Sequence, residues 1–206
     1  MIRNVLPLFS SPVYTATIEE NLEDVFESIK KLKYIPANNC GTYTSLNETR
    51  DILSKFPSLK KSLLDEFNHY KDTCLHYEDT DFFITTSWVT KCTPNSLSHR
   101  HNHQNALYSG VLYFQEGEDF GGIRFSNENI IPQQILLKEP TEWNLLNSSS
   151  WVIKPAPNQV VIFPSYLYHE VTFHSANEDR YSLAFNLFPK GPLGKADSLL
   201  DFNMMG

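Results

Sequence analysis

Cysteine is scarce in this 206-residue chain: Cys40, Cys74 and Cys92 are scattered and form no CxxC pair. That excludes a disulfide framework and a thiolate metal site, and it fits a reducing compartment such as the cytoplasm. Long apolar runs are missing too. Stretches such as 160–163 fall far short of the roughly 20 residues that cross a bilayer, so no membrane association is expected. The opening residues reach Pro7 without an apolar core followed by a small-residue cleavage site, so no signal peptide is expected. Basic clusters longer than two residues are absent, and 17 basic residues against 24 acidic ones leave a net charge of −7. That balance disfavours nucleic acid as a partner. There are no repeats and no low-complexity tract. What is present is 41% hydrophobic and 13% aromatic residues, enough for one domain with a sizeable core, and seven histidines.

The texture divides the chain near residue 80. Residues 5–18 read as short extended pieces punctuated by Pro7 and Pro12. From Glu19 to Lys33, Leu22, Val25, Phe26, Ile29 and Leu32 recur at helical spacing. Residues 38–50 are polar and rich in turn formers. Ile52, Leu53 and Phe56 suggest a short helix ended by Pro57, after which Ser58 is expected to cap a longer one carrying Leu59, Leu63, Phe67, Tyr70 and Cys74. Beyond residue 80, seven segments rich in aromatic and β-branched residues predict strands: 82–90, 106–114, 122–125, 151–153, 159–163, 169–173 and 181–188. The expectation is a single domain over 1–206, mainly β. Residues 1–80 form a helical and extended support, and 81–190 form a β sandwich or barrel with the helices packed outside.

The histidines are unevenly placed. His99, His101 and His103 alternate directly before an apolar strand, so in an extended segment all three point to one side. An H-x-H pair presents two imidazoles to one metal, and a facial site needs a third ligand from elsewhere. His169, at the start of a strand after the buried run 160–163, is the best candidate. His174 is its rival, but its polar neighbours suggest a turn. His69 and His76 fall in the long helix and read as surface or cap residues. Eleven residues after His169 stands Arg180, one of only five arginines, with Ser182 facing the same way. A guanidinium fork plus a hydroxyl makes a good carboxylate clamp.

H-x-H, a strand, a distal His and then R-x-S together resemble the iron(II)- and 2-oxoglutarate-dependent oxygenases. The resemblance is closest to a branch found in bacteria and their phages. It is carried by Leu8-Phe9-Ser10-Ser11-Pro12, by Trp88 and the run from His101 to Tyr113, and by Val161 to Val171 followed by Arg180 to Asn186. It implies a double-stranded β-helix (jelly-roll, cupin-like) core. It also implies His101, His103 and His169 as metal ligands, leaving His99 as an extra, and Arg180, Ser182 and Tyr113 as co-substrate ligands. Two departures stand out. Pro157-Asn158-Gln159 replaces a Gly-containing turn, which Asn tolerates because it accepts positive φ. His103 also stands where the wider superfamily has a carboxylate, leaving a divalent site at +2 instead of +1.

The implied activity is a non-haem Fe(II), 2-oxoglutarate- and O2-dependent hydroxylase that releases succinate and CO2. Its substrate is an unidentified small molecule or peptide, its location cytoplasmic and its expected assembly a homodimer. The rival is a cupin-like three-histidine dioxygenase or isomerase that does not use 2-oxoglutarate. A binding module with incidental histidines would lack the distal His–Arg pair. Trp88, Trp151, Tyr108, Tyr166 and Tyr168 are candidates to line the pocket, although aromatics at such positions are more often core.

Overall fold

A computed structural model gives the fold and describes residues 3–77, 79–126 and 140–201. In chain order the elements are β1 (Tyr14–Thr17), α1 (Glu23–Lys30), β2 (Ile35–Pro36), β3 (Thr42–Thr44), α2 (Pro57–Tyr70), β4 (Asp81–Cys92), β5 (Tyr108–Tyr113), β6 (Ile123–Ser126), β7 (Ser150–Ile153), β8 (Gln159–Pro164), β9 (Tyr168–Val171) and β10 (Arg180–Lys190). They form a seven-stranded antiparallel sheet, ordered β1-β8-β5-β10-β4-β3-β2, and a three-stranded sheet, ordered β7-β6-β9. The two sheets pack through Val111 and Tyr113 of β5, Val161 and Phe163 of β8, and Ile123 and Phe125 of β6. All seven expected strand segments coincide with an observed strand. No helix among the described residues is long and apolar enough to cross a membrane.

The opposite face of the large sheet carries the main core. Tyr108, Leu112, Val160, Ile162, Tyr181, Leu183, Phe185 and Leu187 pack there against Leu59, Leu63, Phe67 and Tyr70 of α2 and Ile29 of α1. The alternation of inner and outer residues along each strand is what lets one sheet serve two layers. Gly110 belongs to this outer face, and a Cβ there would overlap the ring of Phe185. α2 starts at Pro57, whose fixed φ and missing N–H suit the first helical position. Ser58 is therefore not the cap; its hydroxyl donates to Glu20 Oε2 at 3.0 Å. α1 is shorter than the apolar spacing suggests, because Asn21 Oδ1 accepts the Glu23 N–H at 2.9 Å and starts the helix there. The stripe of α2 ends at Tyr70. Cys74 falls in a π-type turn over Lys71–Leu75 and is exposed.

The polar stretch 38–50 holds a strand that its turn-rich composition conceals. β3 is only three residues long and pairs with the end of β4, Thr42 opposite Cys92 and Thr44 opposite Thr90. Asn158 takes φ 57° in the turn before β8, and its side-chain amide donates to the carbonyls of Ile18 and Glu20. Asparagine thus serves in the position where a glycine would have been the simpler choice.

Candidate metal centre and adjoining cavity

Three imidazoles meet at the mouth of the space between the sheets. His169 lies on β9, its β-strand partner on β6 being Phe125. His101 belongs to an extended segment that adds to the free side of β9. Its N–H donates to the His169 carbonyl at 2.9 Å, and the His169 N–H returns the bond at 2.8 Å. His103 follows two residues on, its N–H bonded to the Ser165 carbonyl at 3.0 Å. One ligand nitrogen from each of the three lies within 4.8 Å of the others, and this is the only such group of His, Cys, Asp or Glu found among the described residues. The cluster contains no carboxylate.

Hydrogen bonds on the far side of each ring select its tautomer. His101 Nδ1 donates to the His99 carbonyl at 2.8 Å and His169 Nδ1 to the Leu167 carbonyl at 2.9 Å, because a carbonyl only accepts. His103 Nδ1 donates to Asn186 Oδ1 at 2.6 Å. The Asn186 amide is itself oriented, with Nδ2 bonded to Thr86 Oγ1 at 3.1 Å and Oδ1 accepting from Ser109 Oγ at 2.8 Å. Ser109 Oγ in turn lies 2.7 Å from Ser165 Oγ. With every Nδ1 committed, Nε2 is the nitrogen each ring keeps for a metal, the arrangement that outer hydrogen bonds commonly impose on metal-binding histidines. Burial pushes the His169 imidazole down to about 3, against the Leu167 bond and helped by the neighbouring imidazoles. His103 is also lowered, chiefly by burial. Both rings are neutral near pH 7, so a metal has no proton to displace from either.

Behind the imidazoles a cavity of about 660 Å³ runs between the sheets. Arg180, Ser182, Ala184 and Asn186, the alternate residues of β10, line one wall. Rows of residues cross the sheet on this face. Thr44, Thr90, Ser182 and Tyr113 form one across four strands, with Thr42, Cys92 and Arg180 below it. Arg180, at 1% exposure, is the largest fully buried side chain. Nη1 donates to the Gly121 carbonyl at 3.1 Å and Nη2 to Cys92 Sγ at 3.3 Å, and the guanidinium sits 5.7 Å from the centre of the Tyr113 ring. Gly121 has φ 63°, and a Cβ there would collide with the Thr172 carbonyl, so this turn requires glycine. No carboxylate among the described residues pairs with Arg180, and its Nε has no hydrogen-bond partner. A buried guanidinium in that condition costs several kcal/mol unless a counter-charge arrives. Tyr113, buried beside it, is pushed up to about 12 by burial and only partly drawn back by Arg180, so its phenol stays protonated and can donate to an anion.

The fold therefore brings together all six residues singled out in the sequence: His101, His103, His169, Arg180, Ser182 and Tyr113 line one cavity. His174 is apart from the cluster. It forms a backbone bridge with Ser96 where its polar neighbours suggest a turn, and it is fully buried, with Nε2 2.8 Å from the Glu178 carbonyl. His99 is exposed and lines the cavity rim. Of the aromatics, Trp88 lines the cavity, 5.6 Å from the His103 ring, whereas Tyr108 is core and Trp151 and Tyr166 are exposed. Asn186, Ser109 and Ser165 escaped the sequence reading as supports of His103. Continuing the alternation from Arg180 through Ser182 would have reached Asn186.

The sequence profile of the family described as "Putative 2OG-Fe(II) oxygenase" matches residues 86–186, which span the cluster, the cavity wall and Arg180. No curated protein sequence gives a significant match. Among solved structures, an oxidoreductase of the 2OG-Fe(II) oxygenase family from Burkholderia pseudomallei is similar with TM-score 0.53 and 16% identity over 81% of this chain and 76% of that one. HygX from Streptomyces hygroscopicus, with nickel and 2-oxoglutarate bound, gives TM-score 0.60 and 12% identity over 87% and 84%. A Pseudomonas putida prolyl-4-hydroxylase gives 0.53 and 16% over 89% and 96%. At these identities the likeness is one of fold: a jelly-roll core formed by the two sheets.

Proposed function

We propose that in this chain, which belongs to the 2OG-Fe(II) oxygenase family, His101, His103 and His169 hold one iron(II) ion and Arg180 binds the distal carboxylate of 2-oxoglutarate. The observation that carries the reading is Arg180: a fully buried guanidinium with an orphaned Nε, lining the same cavity as the three imidazoles. A dicarboxylate supplies the missing counter-charge, and the cluster offers neutral nitrogen donors suited to iron(II). When bound, iron(II) and 2-oxoglutarate supply the oxidising chemistry: O2 is consumed, 2-oxoglutarate leaves as succinate and CO2, and one oxygen atom goes to a substrate C–H bond.

The protein's share is binding, orientation and dryness. The Nδ1 hydrogen bonds hold the three rings in one tautomer and one orientation. Ser182 and Tyr113 add hydroxyl donors beside Arg180, facing each other across β10 and β5. Val111, Ile123, Phe163 and Trp88 keep the wall between the two ends apolar, which strengthens the charge contact. A three-histidine enzyme working without 2-oxoglutarate would leave Arg180 buried and without a counter-ion, so that reading fits less well.

The test is succinate formation. Purified protein should convert 2-oxoglutarate to succinate only when iron(II) and O2 are both present. Anaerobic addition of 2-oxoglutarate to the iron(II) protein should give a visible metal-to-ligand band, absent in His169→Ala. Tight 2-oxoglutarate binding without iron, or no succinate in the complete mixture, would overturn the reading.

A further inference from the structure

The cavity has a second cation that the co-substrate reading leaves unused. Arg50 lines it together with Thr86, Trp88 and Leu46. Its backbone carbonyl accepts the Ser87 N–H at 2.8 Å, which ties it to β4 beside Thr86 and Trp88. This is the metal end of the cavity, since Thr86 bonds Asn186 and Asn186 bonds His103. Arg180 lies at the other end, opposite Cys92. Along the β4 backbone Ser87 and Cys92 are five residue steps, about 17 Å, apart.

Arg50 is exposed, no Asp or Glu among the described residues forms an ion pair with it, and the acids beside it in sequence are engaged elsewhere. Asp51 pairs with Lys60 at 3.5 Å and accepts from Ser87 Oγ at 3.2 Å. Glu48 pairs with Lys55 at 3.7 Å and accepts the Lys33 N–H at 2.8 Å. The whole described lining contains two arginines and no Asp or Glu, in a chain with 24 acids against 17 bases. An acid-free cavity in an acidic protein concentrates positive potential where a ligand enters.

We infer that the substrate oxidised at this site is a small molecule bearing an oxyanion group, carboxylate, phosphate or sulfate, and that Arg50 binds that group at the metal end of the cavity. The inference rests on the function proposed above. Arg180 takes the co-substrate, so the charge at Arg50 is available for the molecule lying over the metal. The alternative role for Arg50, a solvated surface charge, predicts no ligand dependence at all.

The test uses the full chain loaded with Mn(II) and saturated with 2-oxoglutarate, with inorganic phosphate, sulfate and acetate as separate probes. For phosphate the readout is 31P relaxation, which the Mn(II) ion enhances only for phosphate held nearby. For sulfate and acetate it is displacement of that phosphate signal. The expected result is saturable enhancement in the wild type, weakened at least about tenfold in Arg50→Ala and partly restored in Arg50→Lys, as loss of a charge-assisted bond requires. The strongest displacer identifies which oxyanion the substrate carries. Equal relaxation in wild type and Arg50→Ala, or none in the wild type, overturns the inference. A parallel 2-oxoglutarate titration of wild type and Arg180→Ala separates the two failures. If 2-oxoglutarate binds as expected and phosphate ignores Arg50, only the substrate inference fails. If 2-oxoglutarate does not need Arg180, the co-substrate clamp fails instead.

Discussion

β10 has two faces made from alternate residues of one short stretch, and they treat burial in opposite ways. Outward, Tyr181, Leu183, Phe185 and Leu187 enter the core beneath α2, where burial is favourable and shape is everything. Inward, Arg180, Ser182, Ala184 and Asn186 line the cavity, where Arg180 is buried at a cost and no carboxylate among the described residues pairs with it. One face stabilises the sheet; the other holds polar groups in place because the sheet is already stable. The strand period of two keeps these demands apart, so the site can carry an unpaired charge without thinning the core.

That separation can be broken at either face. The largest effect is expected from Phe185→Ala on the outer face, about 3–5 kcal/mol of stability lost in chemical denaturation, with one metal still bound per folded chain. Loss of the metal site at temperatures where the variant is folded would show that the faces are coupled. Arg180→Ala on the inner face should weaken 2-oxoglutarate binding on the order of 100-fold in anaerobic titration, since two charge-assisted bonds go at once. Arg180→Lys should recover part of it, and unchanged affinity would sink the clamp. Asn186→Ala removes the acceptor for His103 Nδ1 and should lower metal affinity by roughly 10–100-fold in a competition with a chelator. Ser182→Ala should cost least, about 1 kcal/mol or a few-fold in 2-oxoglutarate affinity and little in stability. A Ser182 effect larger than that of Arg180 would invert the comparison.

Much of the sheet was legible because the strand segments are dense in aromatic and β-branched residues, with turn chemistry between them. β2 and β3 were not, being two and three residues long: β3 is held by pairing with the end of β4, and β2 only by pairing with β3. The H-x-H and R-x-S patterns were legible because residues on one strand face share a parity. The supports were not. Ser109 lies on β5, Asn186 on β10 and Ser165 in the turn after β8, and nothing local marks them as partners of His103. His174 misled for a related reason: its polar neighbours suggest a turn, whereas its backbone bridges Ser96 and its ring is enclosed.

By itself the sequence determined which residue types face which side of each strand, because alternation is a property of the extended backbone alone. It also determined that neutral nitrogen ligands and a scarce arginine were available for a site. Only the tertiary structure decided that His101 meets His169 across a backbone bridge, that Arg180 is buried unpaired with any carboxylate among the described residues, and that Arg50 reaches the same cavity from the N-terminal region. Those facts depend on which strands pair and in what register. Register is set by the summed packing of both sheets, not by any segment that contributes a ligand.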